Sequence, residues 1–304
     1  MDVGKIDQAG LKPGNGLGMR MMLLVGTNIA VIALFTVLAA IFGVNPSGLL
    51  GLTVFSAIFG FGGAFISLAM SKWIAKRSVG ARVIENPSSE IEKWLVATVE
   101  RQAYDAGIGM PEVAIYPSDD VNAFATGMRR DSALVAVSVG LLQQMEADQV
   151  EAVLAHEVAH IANGDMVTMS LIQGVLNTFV ILISRILAEV VVSALTKGRG
   201  GRGIYFVVVI VMQMVLGIFA SMIQMWYSRR REFKADIGSA ALCGPEKMIS
   251  ALQALQRGRP SENELPDQLA AMGIRPGGSK GGWRKLLMSH PPLEDRIAAL
   301  QEML

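Results

Sequence analysis

The stretch Val153–Asp165, VLAHEVAHIANGD, decides how this chain is read. The chain has three histidines, and two of them, His156 and His160, stand four residues apart here with Glu157 directly after the first. On a helix, residues i and i+4 share one face about 5–6 Å apart. Two imidazoles would then converge on one point with a carboxylate beside them, the geometry of a zinc site with its own base. The neighbours Val153, Leu154, Val158 and Ile161 are apolar and predict a buried helix over Ala147–Ala162, closed by Asn163-Gly164. Buried imidazoles need partners, which argues against two surface histidines on an ordinary helix.

Working outward, the composition belongs to a membrane. Of 304 residues, 52% are hydrophobic and only 17% charged, and the mean hydropathy is +0.43. Met21–Val44 and Leu49–Met70 are uncharged runs parted only by Asn45-Pro46-Ser47-Gly48. Each exceeds the ~20 residues needed to cross the hydrocarbon core, and the first reads as a span rather than a cleaved leader. Ile204–Tyr227 is a third run, ending at Trp226-Tyr227. Leu171–Leu195 is a fourth, interrupted by Arg185 and Glu189, which are spaced to pair with each other. Lys72, Lys76, Arg77 and Arg82 after the second span predict a cytoplasmic side for Lys72–Asp165 and the N-terminus. The second hairpin has basic residues on both sides and gives no orientation by itself. A net charge of +1 gives no reason to expect nucleic acid. The single cysteine, Cys243, excludes an intrachain disulfide and reads as a small buried apolar residue.

Between the hairpins, Ser89 and Glu92 form a capping-box pattern that opens a helix running to Gly107. Short strand-like runs follow at Glu112–Tyr116, Val121–Thr126 and Ser132–Ser138, with turns at Ser118-Asp119-Asp120 and Gly127–Asp131. They predict a small antiparallel sheet ending at Gly140. After the second hairpin come a helix over Ser228–Cys243 and another over Pro245–Arg257. Arg259–Gly282 reads as a loop, and an amphipathic helix through Leu293, Ile297, Leu300 and Leu304 closes the chain.

Zinc wants a third protein ligand. A continuation to HExxHxxGxxH fails, because Asn163 and Met166 stand where Gly and His would be needed. Glu232 on a later helix is the other candidate, with Asp236 one turn on to fix a histidine tautomer. The same residues could instead be routine charge pairs of a basic juxtamembrane helix. His290 and Arg296, flanking the start of the last helix, are candidates to stabilise a developing oxyanion. A turn histidine and a helix-surface arginine would look the same. Asn122, Ala123, Phe124 and Ala125 could form an edge strand that pairs with an extended substrate, or an ordinary half-buried strand.

HEVAH (His156–His160), SRRREFKADIGSA (Ser228–Ala240), NAFATG (Asn122–Gly127) and SHPPLEDRI (Ser289–Ile297) together resemble the membrane-bound zinc metalloproteases of the family that includes the CAAX prenyl proteases. The resemblance covers nearly the whole chain. It implies an α+β membrane protein: a mostly α-helical zincin-type metalloprotease domain with the small antiparallel sheet, plus two transmembrane helical hairpins. The expected division is a cytoplasmic tail at 1–20, hairpins at 21–70 and 171–227, and the protease domain in two parts, 71–170 and 228–304. The resemblance implies one Zn²⁺ per chain held by His156, His160 and Glu232, with Glu157 as general base. It also implies a catalytic domain on the cytoplasmic side of a bacterial inner membrane, and membrane proteins as quality-control substrates. The longer tail, Met1–Arg20, has no assigned role. An intramembrane protease would need HExxH inside an apolar span, but Glu146, Asp148, Glu151 and Asp165 flank the motif. A channel or transport subunit fits poorly with the polar metal helix.

Overall fold

The computed structural model describes residues 46–196, 202–257 and 290–304. The run Met21–Val44, the tail 1–20 and the loop Arg259–Gly282 lie outside the described residues. The elements in chain order are α1 (Pro46–Val79), β1 (Arg82–Val83), α2 (Glu90–Asp105), β2 (Glu112–Tyr116), β3 (Ala123–Thr126), β4 (Leu134–Ser138), α3 (Val139–Gln144), α4 (Ala147–Asn163), α5 (Asp165–Thr196), α6 (Arg202–Cys243), α7 (Pro245–Arg257) and α8 (Leu293–Gln301). The described residues separate into two compact units: 68–167 with 225–257 and 290–304, and 46–67 with 168–196 and 202–224.

Three helical stretches, Gly48–Val79, Asp165–Thr196 and Gly203–Cys243, are long and apolar enough to cross a membrane. In the second unit α1 and α5 touch through small residues. A Cβ on Gly60 would lie 2.6 Å from the Thr178 backbone nitrogen, and one on Gly174 would lie 2.6 Å from the Phe61 ring. Small residues let backbones approach where lipid supplies no hydrophobic drive between helices. Arg185 lies over the Phe55 ring at 4.6 Å instead of pairing with Glu189. The helix expected to begin at Ser228 does not begin there. α6 is continuous over 42 residues, because residues 218–237 contain neither Gly nor Pro to stop it.

In the first unit α2 starts as the capping box predicts. Ser89 Oγ accepts from the Glu92 amide at 3.1 Å, and Glu92 Oε2 accepts from the Ser89 amide at 3.3 Å. The sheet has the order β1-β2-β4-β3 and is mixed, not antiparallel. β2 and β4 run parallel, Glu112 opposite Leu134 through Tyr116 opposite Ser138, while β3 and β4 form an antiparallel pair. The residues Ser118-Asp119-Asp120 look like a hairpin turn but form a crossover. They carry the chain past an empty lane into which β4 inserts, so β4 pairs with both of its predecessors. Turn-forming residues show that a chain bends, not which strand becomes its neighbour.

The core lies between this sheet, α2, α4 and α7, with Leu95, Val99, Val135, Val137, Val153, Leu154, Val158, Met248 and Leu252 all buried. α4 is central to it: thirteen of its residues are buried, the two histidines and Glu157 among them. Gly140 does not end the sheet region but lies inside α3, whose first turn is capped by Ser138 Oγ accepting from the Leu141 amide at 3.0 Å. Its amide donates to Ser118 O at 2.8 Å, and the crossover loop lies directly on it. A Cβ there would sit 2.1 Å from Asp119 O, a backbone atom that cannot swing away. Gly140→Ala is therefore expected to destabilise the protein by about 1–3 kcal/mol or more, measured as a lowered thermal midpoint in detergent. An unchanged midpoint would show that the loop is free to lift.

Candidate active site

The site is built where α6 lies against α4. Gly238 is the closest point: a Cβ on it would come within 2.6 Å of the Ala159 Cβ. One residue on, Ser239 Oγ donates to Ala152 O at 2.8 Å and fixes the register of the two helices. Those contacts bring Glu232, fully buried, to the histidine pair. His156 Nε2 is 3.5 Å from Glu232 Oε2 and His160 Nε2 is 3.4 Å from Glu232 Oε1. The two Nε2 atoms are 3.1 Å apart. One donor atom from each of the three residues falls within a span of 4.8 Å.

Each imidazole is held from behind by a carboxylate. Asp236 Oδ1 lies 3.0 Å from His156 Nδ1. Asp165 Oδ2 lies 2.6 Å from His160 Nδ1. For His160, with Nδ1 as the donor to Asp165, Nε2 is left with a lone pair facing the common point, the tautomer a metal ligand needs; His156 Nδ1 lies close to Asp236 without forming a hydrogen bond. Asp165 reaches His160 because Gly164 adopts φ +68°, a left-handed cap that ends α4 and starts α5 at Asp165. A side chain with Cβ is disfavoured in that conformation.

The last helix supplies the outer layer. Arg296, fully buried, donates from Nε and Nη2 to both oxygens of Asp236 at 2.8 and 2.6 Å. Its Nη1 is 3.6 Å from Glu232 Oε2. His290 Nδ1 lies 2.7 Å from Glu232 Oε2, and a carboxylate oxygen only accepts, so the proton sits on Nδ1. Glu157 is 1% exposed, and neither of its oxygens has a hydrogen-bond partner among the described residues. Burial pushes its pKa up, and the neighbouring His160 and His156 only partly offset this.

Charge shows what the site can hold. Glu157, Asp165, Glu232 and Asp236 are four buried carboxylates, and Arg231 and Arg296 are two buried guanidiniums. Burial draws Glu157 toward its neutral form, and the other three carboxylates against two guanidiniums leave an excess of negative charge that a bound cation would offset. Two imidazoles and a carboxylate suit such a cation, and Glu232 Oε1, which has no hydrogen-bond partner among the described residues, is available to it.

All seven residues singled out on the helices converge here: His156, Glu157, His160, Glu232, Asp236, His290 and Arg296. Asn122 precedes β3, and Ala123–Ala125 lie on it; β3 is the edge strand of the sheet, fully buried rather than half-buried, and packs against α4. Two residues escaped the sequence reading. Asp165 could have been found from the Asn-Gly stop, which returns the next residue toward the end of the helix. Arg231, whose Nε is 3.7 Å from Glu232 Oε1, is hidden in a run of three arginines that reads as a juxtamembrane cluster.

A buried two-histidine, one-glutamate site on an HExxH helix, in a chain with membrane-crossing helices, defines a membrane-bound metallopeptidase. The chain belongs to peptidase family M48, whose pattern matches residues 89–304. It is 57% identical over 285 residues to Protease HtpX of Stenotrophomonas maltophilia strain K279a, covering 93% of this chain and 97% of that one. It is also 57% identical over 284 residues to Protease HtpX of Xanthomonas campestris pv. campestris strain B100, with the same coverage. The crystal structure of S. mikatae Ste24p shares the fold at a TM-score of 0.55 and 18% identity, over 92% of this chain and 64% of that longer one. The enzyme is thus a metalloendopeptidase, and the family implies a bound metal.

Asp165→Asn is expected to weaken metal binding about 10–100-fold without unfolding the protein, measured by zinc titration against a competing chelator. Unchanged affinity would mean that Asp165 does not orient His160.

Proposed function

We propose that this chain is a zinc-dependent endopeptidase of the bacterial inner membrane that cleaves misfolded or damaged membrane proteins on the cytoplasmic side. The observation that carries this reading is the cluster His156–His160–Glu232 with Glu157, one residue off the ligand face, buried beside it. The basic residues Lys72, Lys76, Arg77 and Arg82 support the orientation. In this reading the tail at 1–20 and the protease parts at 71–170 and 228–304 face the cytoplasm, and the hairpins at 21–70 and 171–227 lie in the bilayer.

His156, His160 and Glu232 would hold one Zn²⁺, with Asp236 and Asp165 orienting the two rings and Arg296 locking Asp236. A zinc ion held there supplies a Lewis acid that polarises the scissile carbonyl and acidifies water. Glu157 takes a proton from the attacking water and returns it to the leaving nitrogen as the C–N bond breaks. Nε2 of His290 and Nη1 of Arg296 have no hydrogen-bond partner among the described residues. Nη1 of Arg296 is the donor left for a developing oxyanion; Nε2 of His290 could join it only with a second proton on the ring, which burial disfavours.

The substrate would lie along β3 as an added strand. Ser138 N donates to Asn122 O, so by antiparallel alternation Phe124 and Thr126 also bond toward β4, while Ala123 and Ala125 turn their N–H and C=O away from it, along an edge that is buried and would have to be uncovered for a substrate strand to add. Glu157→Gln keeps the shape of the site and all three proposed ligands but removes the base. It is expected to retain zinc at wild-type stoichiometry and lose peptide cleavage, measured by metal analysis alongside cleavage of a model membrane substrate. Near-normal turnover would overturn the mechanism, and zinc loss would make Glu157 a ligand.

A further inference from the structure

The apolar run of α1 ends at Met70, and Lys72, Trp73, Lys76 and Arg77 follow within two turns. Trp73 is 57% exposed, and the Arg77 guanidinium lies 5.7 Å from its ring centre. α6 repeats the arrangement at the end of its own apolar run: Trp226 is 49% exposed, with Arg230 over its ring at 4.3 Å. An exposed tryptophan with an arginine one turn toward the charged end is an interfacial anchor, the ring at headgroup level and the cation among the phosphates. These pairs mark the lipid boundary on each helix.

Lys72 stands at that boundary and does more than pair with Glu112. Its Nζ donates to Ser132 O at 2.9 Å. At 1.5 Å per residue, Lys72 lies about 3 Å beyond Met70, and the headgroup layer extends roughly 5–7 Å beyond the hydrocarbon. The turn that Ser132 closes, Gly127–Ser132, is therefore tied at the depth of the headgroups. Its shape is fixed: Gly127 has φ +139°, and a Cβ there would lie 3.0 Å from Ala133 Cα. Asp131 accepts from the Gly109 amide at 3.1 Å while remaining exposed. Met128 and Arg129 are exposed and Arg130 partly so. The turn thus presents an apolar side chain and the exposed Arg129 to the level where anionic lipid phosphates lie, and its two arginines against one aspartate leave it net basic. A basic segment beside an anionic membrane surface is attracted to it, and an unbranched methionine adapts to the acyl boundary.

We propose that the Gly127–Ser132 turn is seated in the membrane surface as a lipid-contacting element, with Met128 at the acyl boundary and Arg129 on anionic phospholipid headgroups. Lys72 sets its depth. One end of β3, at Thr126, then starts at the lipid surface. The test uses the full-length protein in nanodiscs, in a Cys243→Ser background, with a spin label at Met128→Cys. A second label at Asp119→Cys, exposed at the opposite end of the sheet, is the comparison. In discs containing phosphatidylglycerol, the label at 128 is expected to be relaxed severalfold more by oxygen than by a water-soluble nickel complex, and the label at 119 the reverse. Replacing phosphatidylglycerol with phosphatidylcholine, or Arg129 with Gln, should lift the label at 128 toward water. A label at 128 as open to nickel as that at 119 overturns the proposal, as does a depth that ignores both the lipid headgroup and Arg129.

Discussion

The contact between Gly238 and Ala159 is the constraint on which the site depends. Glu232 stands 72 positions after His160, and only the side-by-side docking of α4 and α6 joins it to the two histidines. Without a side chain at 238 the helices come close enough for a carboxylate on one to meet imidazoles on the other. The Ser239–Ala152 bond then sets which residues face each other.

Electrostatics adds a second condition. Burying four carboxylates and two guanidiniums in one place is costly unless each is paired. The layers meet this from the outside inward: Arg296 grips Asp236, Asp236 faces His156, and His156 faces Glu232. The His160–Asp165 pair closes the other side through the left-handed turn at Gly164. Glu157 stands apart from these pairs, with neither oxygen hydrogen-bonded among the described residues, and burial raises its pKa.

Much of this was legible in the sequence because it is periodic or local. The spacing of His156, Glu157 and His160 sets a helix face, the Ser89–Glu92 capping box marks a helix start, and Asn163-Gly164 marks a stop. The apolar runs announce three of the helices, and the fourth run falls outside the described residues. What the sequence hid depends on contacts at long range. Nothing in Ser118–Asp120 says that β4 will insert between β2 and β3 and make the sheet mixed. Ser228 looked like a helix start because polarity changes there, yet polarity does not break a helix that lacks Gly and Pro. Arg231 was masked by its neighbours, and Asp165 by the habit of reading a helix stop as the end of a motif.

Zinc-edge X-ray absorption on the purified full-length protein tests the central claim most directly, since it reads the atoms around the metal without relying on activity. Docking of α4 on α6 through Gly238 requires two imidazole nitrogens at about 2.0–2.1 Å and the remaining positions filled by oxygen, one from Glu232. A third imidazole would move His290 into the ligand set, and a sulfur at about 2.3 Å would bring in Cys243. Either result would contradict the account.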